Sequence, residues 1–152
     1  MKIKLSLESL LSIALIVFFF MPWLKLTGGL FNYAGYELPY TAKTVAIIFS
    51  IETYTGKTNY MTYLVYLLYL VPVLSALTIY LDLSKRKVNR VLPLIAAAIP
   101  FAIFIIMLVR LQFDAFGYFD IGLYLSVLIG VLIALDFFGL ISMTDIISKG
   151  YR

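Results

Sequence analysis

Leu81-Asp82-Leu83-Ser84-Lys85-Arg86-Lys87-Val88-Asn89-Arg90 is the stretch on which the reading of this chain turns. It is the one dense cluster of positive charge, and long apolar runs lie on both sides of it. A charged decapeptide does not rest in hydrocarbon, where each buried charge costs several kcal/mol. The pattern therefore predicts a turn at a membrane surface, with one helix arriving and another leaving.

Composition agrees. The 152 residues are 63% hydrophobic and 13% charged, with a mean hydropathy of +1.02. Soluble domains carry roughly 45–50% apolar and about 25% charged residues. So small a soluble domain has no interior large enough for this much apolar surface, and a bilayer is the expected solvent for most of it.

Working outward from the turn, Met61 to Leu81 and Val91 to Val109 read as two spans. Pro72 is expected to kink the first near its middle, whereas Pro93 suits a helix start and Pro100 a bend. Leu5 to Leu24 and Ile121 to Ile141 complete four spans of about 20 residues. At ~1.5 Å per residue each matches the ~30 Å hydrocarbon core. The first is expected to be retained rather than cleaved, since Met21-Pro22-Trp23 offers no small-x-small site. The predicted fold is an all-α integral membrane protein, an antiparallel four-helix transmembrane bundle forming one domain over residues 1–152.

Residues 25–60 form the one sizeable loop between spans. Leu24-Lys25-Leu26 and Tyr36-Glu37-Leu38 alternate as strands do, and Thr27-Gly28-Gly29 carries turn chemistry. A small β-hairpin is expected there, with Leu30–Tyr33 as an alternative second arm. Thr41–Ile51 then has the spacing of a short amphipathic helix.

Sidedness follows from charge. Four spans put both ends of the chain on the side of the 81–90 turn, together with Lys2, Lys4, Lys85, Arg86, Lys87, Arg90, Lys149 and Arg152. Lys25, Lys43, Lys57 and Arg110 fall on the other side. The positive-inside rule makes the richer side cytoplasmic and the long loop external. These basic residues cap apolar runs, which is the pattern of orientation rather than of nucleic-acid binding. Membrane lipids are the expected surroundings.

Cysteine and histidine are absent. That excludes disulfides, thiolate catalysis, Cys/His zinc sites and His-ligated haem. No phosphate-binding Gly-rich loop, Ser/His pairing or HExxH occurs, so neither a cofactor nor catalysis is expected.

Three groups of residues stand out. Asp136 lies inside the fourth span, about five residues or roughly 8 Å from its cytoplasmic end. Glu8 lies at similar depth, and Ser12, Ser75 and Thr78 fall in the same layer. This polar cluster reads either as a proton- or cation-handling pocket or as a patch that fixes helix register. Tyr66 and Tyr69, deeper than Tyr60 and Tyr63 on the same span, read as an aromatic slot for a lipid or quinone, or as packing against a partner helix. Trp23, Tyr33, Tyr36 and Tyr40 are candidates for a contact surface at the outer loop, Trp23 as an interfacial anchor. Small-residue stripes, Ala96-Ala97-Ala98 and Gly122/Ser126/Gly130, allow close helix contact.

Met21-Pro22-Trp23, Gly28-Gly29 and Gly35-Tyr36-Glu37-Leu38-Pro39 after a first span resemble the first outer loop of small uncharacterised prokaryotic four-span proteins. The layout is similar, more loosely, to claudin-type tetraspans. This chain lacks that family's outer cysteine pair, and Gly29-Leu30-Phe31 stands nearest its Gly-Leu-Trp triplet. The resemblance covers about 20 residues. It implies a folded outer loop that serves as a contact surface; a prokaryotic cytoplasmic membrane is the favoured location. Three functions remain open: a non-catalytic accessory or self-associating subunit of a membrane complex, a small oligomeric transporter or channel using Asp136, or a lipid- or quinone-binding membrane protein using Tyr66 and Tyr69.

Overall fold

The computed structural model describes residues 5–26, 31–41, 64–84, 90–111 and 114–140. Their structure is mostly helical, with one two-stranded sheet. The elements are α1 (Leu7–Phe19), β1 (Pro22–Leu26), β2 (Phe31–Ala34), a 3-10 helix (Leu64–Tyr69), α2 (Leu70–Leu83), α3 (Val91–Leu111), the short α4 (Ala115–Tyr118) and α5 (Ile121–Phe137).

The four long helices close into a ring. α1 packs on α2, α2 on α3, α3 on α5 and α5 back on α1, while the diagonal pair α1 and α3 scarcely meet. Each helix runs against its neighbours. The start of α1 touches the end of α2 through Ser9 and Asp82, and Glu8 meets Arg90 at the start of α3. Residues Val65–Leu83 and Val91–Val109 are long and apolar enough to cross a membrane, with mean hydropathies of 1.7 and 2.8. α1 and α5 are apolar but shorter, at 13 and 17 residues.

Both shortfalls against the expected spans have local causes. α1 begins on Ser6, whose hydroxyl accepts the Ser9 N–H at 3.2 Å, an N-cap of the usual kind. It stops at Phe19 because Pro22 brings no N–H and disfavours helix at the residue before it. The Phe20 and Met21 amides tighten onto Val17 and Phe18 at 3.1 Å, and the chain leaves as β1. α5 ends at Phe137, four residues before the expected limit, on a left-handed glycine. Gly139, at φ 69°, donates to the Asp136 carbonyl and Leu140 to that of Leu135, together a Schellman motif.

Pro72 is not in the middle of an α-helix, where the expected span places it. It stands in the first turn of α2, where a missing N–H costs little, and the residues before it wind as a 3-10 helix. Pro93 lies in the first turn of α3, as expected. Pro100 lies inside that helix, which continues to Leu111.

The hairpin exists, with the alternative second arm. β1 pairs antiparallel with β2 (Lys25 opposite Asn32), and the register is irregular between Pro22 and Leu24, around Trp23. Tyr36–Leu38 is not a strand. Residues 35–37 form a turn and 38–41 a helical turn, because the Glu37 carboxylate reaches back to the Ala34 N–H at 2.8 Å and starts a helix. The amphipathic helix expected over Thr41–Ile51 lies outside the described residues after Thr41.

The interior changes character along the bundle. At the hairpin end it is large and apolar: Phe19, Trp23, Leu24, Leu38, Leu68, Phe119 and Leu123 are all buried. Toward the Arg90 end, the buried residues of α1 and α2 are Ser9, Ser12, Ser75 and Thr78, none with any exposed surface. The outside is the reverse. Val17 is 52% exposed, Val73 58%, Leu128 54% and Val109 73%, one on each long helix.

Candidate functional site

Each of the three groups singled out in the sequence has a definite place in the fold. The polar cluster divides in two. Glu8 faces α3 and α5. Its carboxylate lies 3.2 Å from the Arg90 Nε, and with Leu11, Pro93, Ile133, Asp136 and Phe137 the pair lines a small cavity of about 10 Å³. That is about the room one water needs. Asp136 lines the same cavity as this ion pair. Arg90 is 62% exposed, so the ion pair contributes at most about 1 kcal/mol.

Ser12, Ser75 and Thr78 lie instead in the α1–α2 seam. α1 carries Ser6, Ser9 and Ser12 at every third position, and α2 carries Ser75, Thr78 and Asp82 at i, i+3 and i+7. In antiparallel helices these spacings bring two small, polar faces together. At the end of the seam the Asp82 Oδ2 accepts the Ser6 backbone N–H at 2.7 Å and the Ser9 hydroxyl at 2.6 Å. Ser6 also donates its hydroxyl to that of Ser9, at 3.2 Å. Asp82 therefore fastens the first turn of α1 to the last turn of α2. A negative charge there also complements the positive end of the α1 dipole. Bonds of this charge-assisted kind contribute about 1.5–3 kcal/mol each.

Further in, the Thr78 hydroxyl donates to the Leu74 carbonyl at 2.9 Å, as Ser126 in α5 does to Gly122 at 2.8 Å. Ser12 and Ser75 behave differently. Their hydroxyls are buried and have no hydrogen-bond partner. Sequence reasoning missed Ser6, Ser9, Asp82 and Arg90. The three-residue repeat of serine was the signal for the first two.

The outer-loop group is also reapportioned. Trp23 has no exposed surface, so it is no interfacial anchor and no contact residue. Its indole N–H donates to the Phe18 carbonyl at 2.7 Å, and its ring meets Phe19 edge to face at 6.0 Å. Two glycines make its seat. A Cβ on Gly35 would lie 2.8 Å from the indole and 2.7 Å from the Phe19 carbonyl. One on Gly122 would lie 2.8 Å from the indole and 2.6 Å from the Pro22 carbonyl. The hairpin is locked to the bundle as well: the Asp120 N–H donates to the Trp23 carbonyl at 2.8 Å, and Leu24 bridges Phe119.

The tyrosines remain as surface. Tyr40 is almost fully exposed and Tyr33 is half-buried. Tyr36 is exposed, packs against Phe20 at 5.5 Å and donates its hydroxyl to Glu37 at 3.2 Å. That bond and the neighbouring negative charge hold its pKa above the ordinary tyrosine value. Tyr69 donates to the Tyr36 carbonyl at 3.3 Å and so joins this aromatic rim, and Tyr66 is exposed as well.

The small-residue stripes are largely spent within the chain. Gly122 receives Trp23, Ser126 is buried, and Gly130 faces the Ala97 carbonyl, 3.2 Å from where its Cβ would be. What they leave open is a groove of about 250 Å³ between α3 and α5. Ala97, Ala98, Gly130 and Ala134 lie along it, between Leu94, Phe101 and Phe138.

Comparison of the chain with protein-family models, with curated proteins and with solved structures finds no match.

Proposed function

We propose that this chain is a small, non-catalytic integral membrane protein that works through contacts, as an accessory subunit of a membrane complex or as a homo-oligomer. One observation carries the membrane part: serine and threonine fill the α1–α2 interior while valine and leucine face outward on every long helix. In water such an exterior is an aggregation surface, whereas lipid accepts it. The four helices then act as spans in one domain, with both ends of the chain and the 81–90 turn in the cytoplasm. α1 and α5 measure about 20 and 26 Å at ~1.5 Å per residue, so their flanks and some local thinning complete the crossing. The hairpin lies outside, its backbone paired on β2 and on Phe119.

The groove between α3 and α5 supports the contact role. Its floor of alanine and glycine admits a partner helix at close range, and a subunit that meets its partner through α3 and α5 leaves its own α1–α2 seam undisturbed. Purification in mild detergent tests this. A defined oligomer or a stoichiometric partner is expected, and widening Ala98 to Phe should dissociate it. A monodisperse monomer that retains no partner would overturn the reading.

The half-burial of Asp136 beside Glu8 and Arg90 favours a second reading, an oligomeric transporter or channel with Asp136 as the coupling residue. Flux into proteoliposomes that is unchanged in Asp136→Asn removes it.

A further inference from the structure

The two hydroxyls without partners point to a ligand. Ser12 and Ser75 are fully buried in the α1–α2 seam, and neither takes the carbonyl four residues back, the refuge that Thr78 and Ser126 use in the same fold. A buried donor with no acceptor is rare in folded proteins and costly. Counting inward from the Ser9–Asp82 hydrogen bond, about one turn on each helix puts Ser12 level with Thr78, and Ser75 lies three residues, ~4.5 Å, further along. Thr78 has its O–H engaged with Leu74 and keeps acceptor capacity on its oxygen. The seam therefore offers, within one or two turns, two free donor-acceptors and one free acceptor.

We propose that this seam is a binding site for internal water, one or two molecules held between Ser12, Thr78 and Ser75. The donor set selects the ligand. Hydroxyls both give and accept hydrogen bonds, as water requires of its two to four partners, whereas a bare cation would need a carboxylate that the seam does not spare: Asp82 is engaged at its end and Glu8, at similar depth, is turned to Arg90. Beyond Ser75 the interior closes with Leu15, Leu68 and Val71, all without exposed surface, so the site is a dead end and not a through-path. The inference concerns only the inside of the bundle and holds whatever surrounds it.

The test uses the full-length protein in perdeuterated detergent micelles. Rotating-frame cross-relaxation between water and protein should give signals at the Ser12 and Ser75 amides, of the sign that distinguishes bound water from proton exchange. None should appear at Leu15 or Val71. Absence of those signals at both serines overturns the proposal. Ser12→Ala and Ser75→Ala supply a second readout with opposite expectations. If each hydroxyl holds water, each variant lowers the apparent Tm by about 2–4 °C, the scale of one lost hydrogen bond in a domain of this size. If the hydroxyls are bare, removing them relieves a penalty and the Tm rises, which also overturns it.

Discussion

The two ends of the bundle are held together by different physics. At the hairpin end, one large ring is seated between two glycines and fixed by a single indole hydrogen bond, and stability comes from apolar area and tight fit. At the Arg90 end, the interior is a seam of small hydroxyls closed by one carboxylate, and stability comes from a few directed polar bonds. The difference bears on what a membrane environment rewards. Burying apolar surface gains little where the surroundings are equally apolar, so shape fit and hydrogen bonds have to hold helices together. The hairpin end projects toward water in the proposed orientation, and there the ordinary hydrophobic core regains its value.

Substitutions sharpen the contrast, measured as unfolding free energy in a mild detergent. Trp23→Ala should be the most damaging, at about 3–5 kcal/mol, because it empties the centre of the hairpin-end core. A loss below ~1 kcal/mol would break the comparison at once. Gly122→Ala comes next, at about 1–3 kcal/mol. Its Cβ meets backbone at 2.6 Å and the indole at 2.8 Å, and neither has room to yield. Asp82→Asn should cost about 1–2 kcal/mol, since it turns two charge-assisted bonds into neutral ones. Amide exchange should quicken specifically at Ser6, whose N–H that carboxylate holds. Glu8→Gln should change stability by less than ~1 kcal/mol, its guanidinium partner being largely in solvent, and that small effect should fade with added salt.

How far the sequence foretold this depended on whether a signal was local. The division between α2 and α3 was legible because charge flanked by apolar runs has few interpretations, and the first strand of the hairpin was legible from the alternation of Leu24-Lys25-Leu26. Trp23 was misread for a physical reason. A tryptophan at the end of an apolar run is an interfacial anchor when the chain continues outward, but Pro22 ends the helix and folds it back over its own end. Its seat also depends on Gly122, nearly a hundred residues away, which no local pattern reveals. The polar layer was read by depth alone. Antiparallel counting placed Ser12, Ser75 and Thr78 at one depth, yet depth does not give direction around the helix. Glu8, one residue before Ser9, faces α3 and α5 instead. The Gly139 stop was visible in principle as a glycine after a long apolar run, and the continuing apolarity of Leu140 and Ile141 obscured it.

The hydrogen bond from Asp120 to Trp23 also sets a timetable. A ribosome adding roughly 5–20 residues per second needs about 5–20 s between making the two partners. For that interval β1 has β2 alongside it but neither Phe119 as a second neighbour nor Gly122 beneath the Trp23 indole. The nascent molecule passes through a stage with its largest aromatic group half-housed, and a factor that shields this side would be needed early and dispensable once α5 arrives.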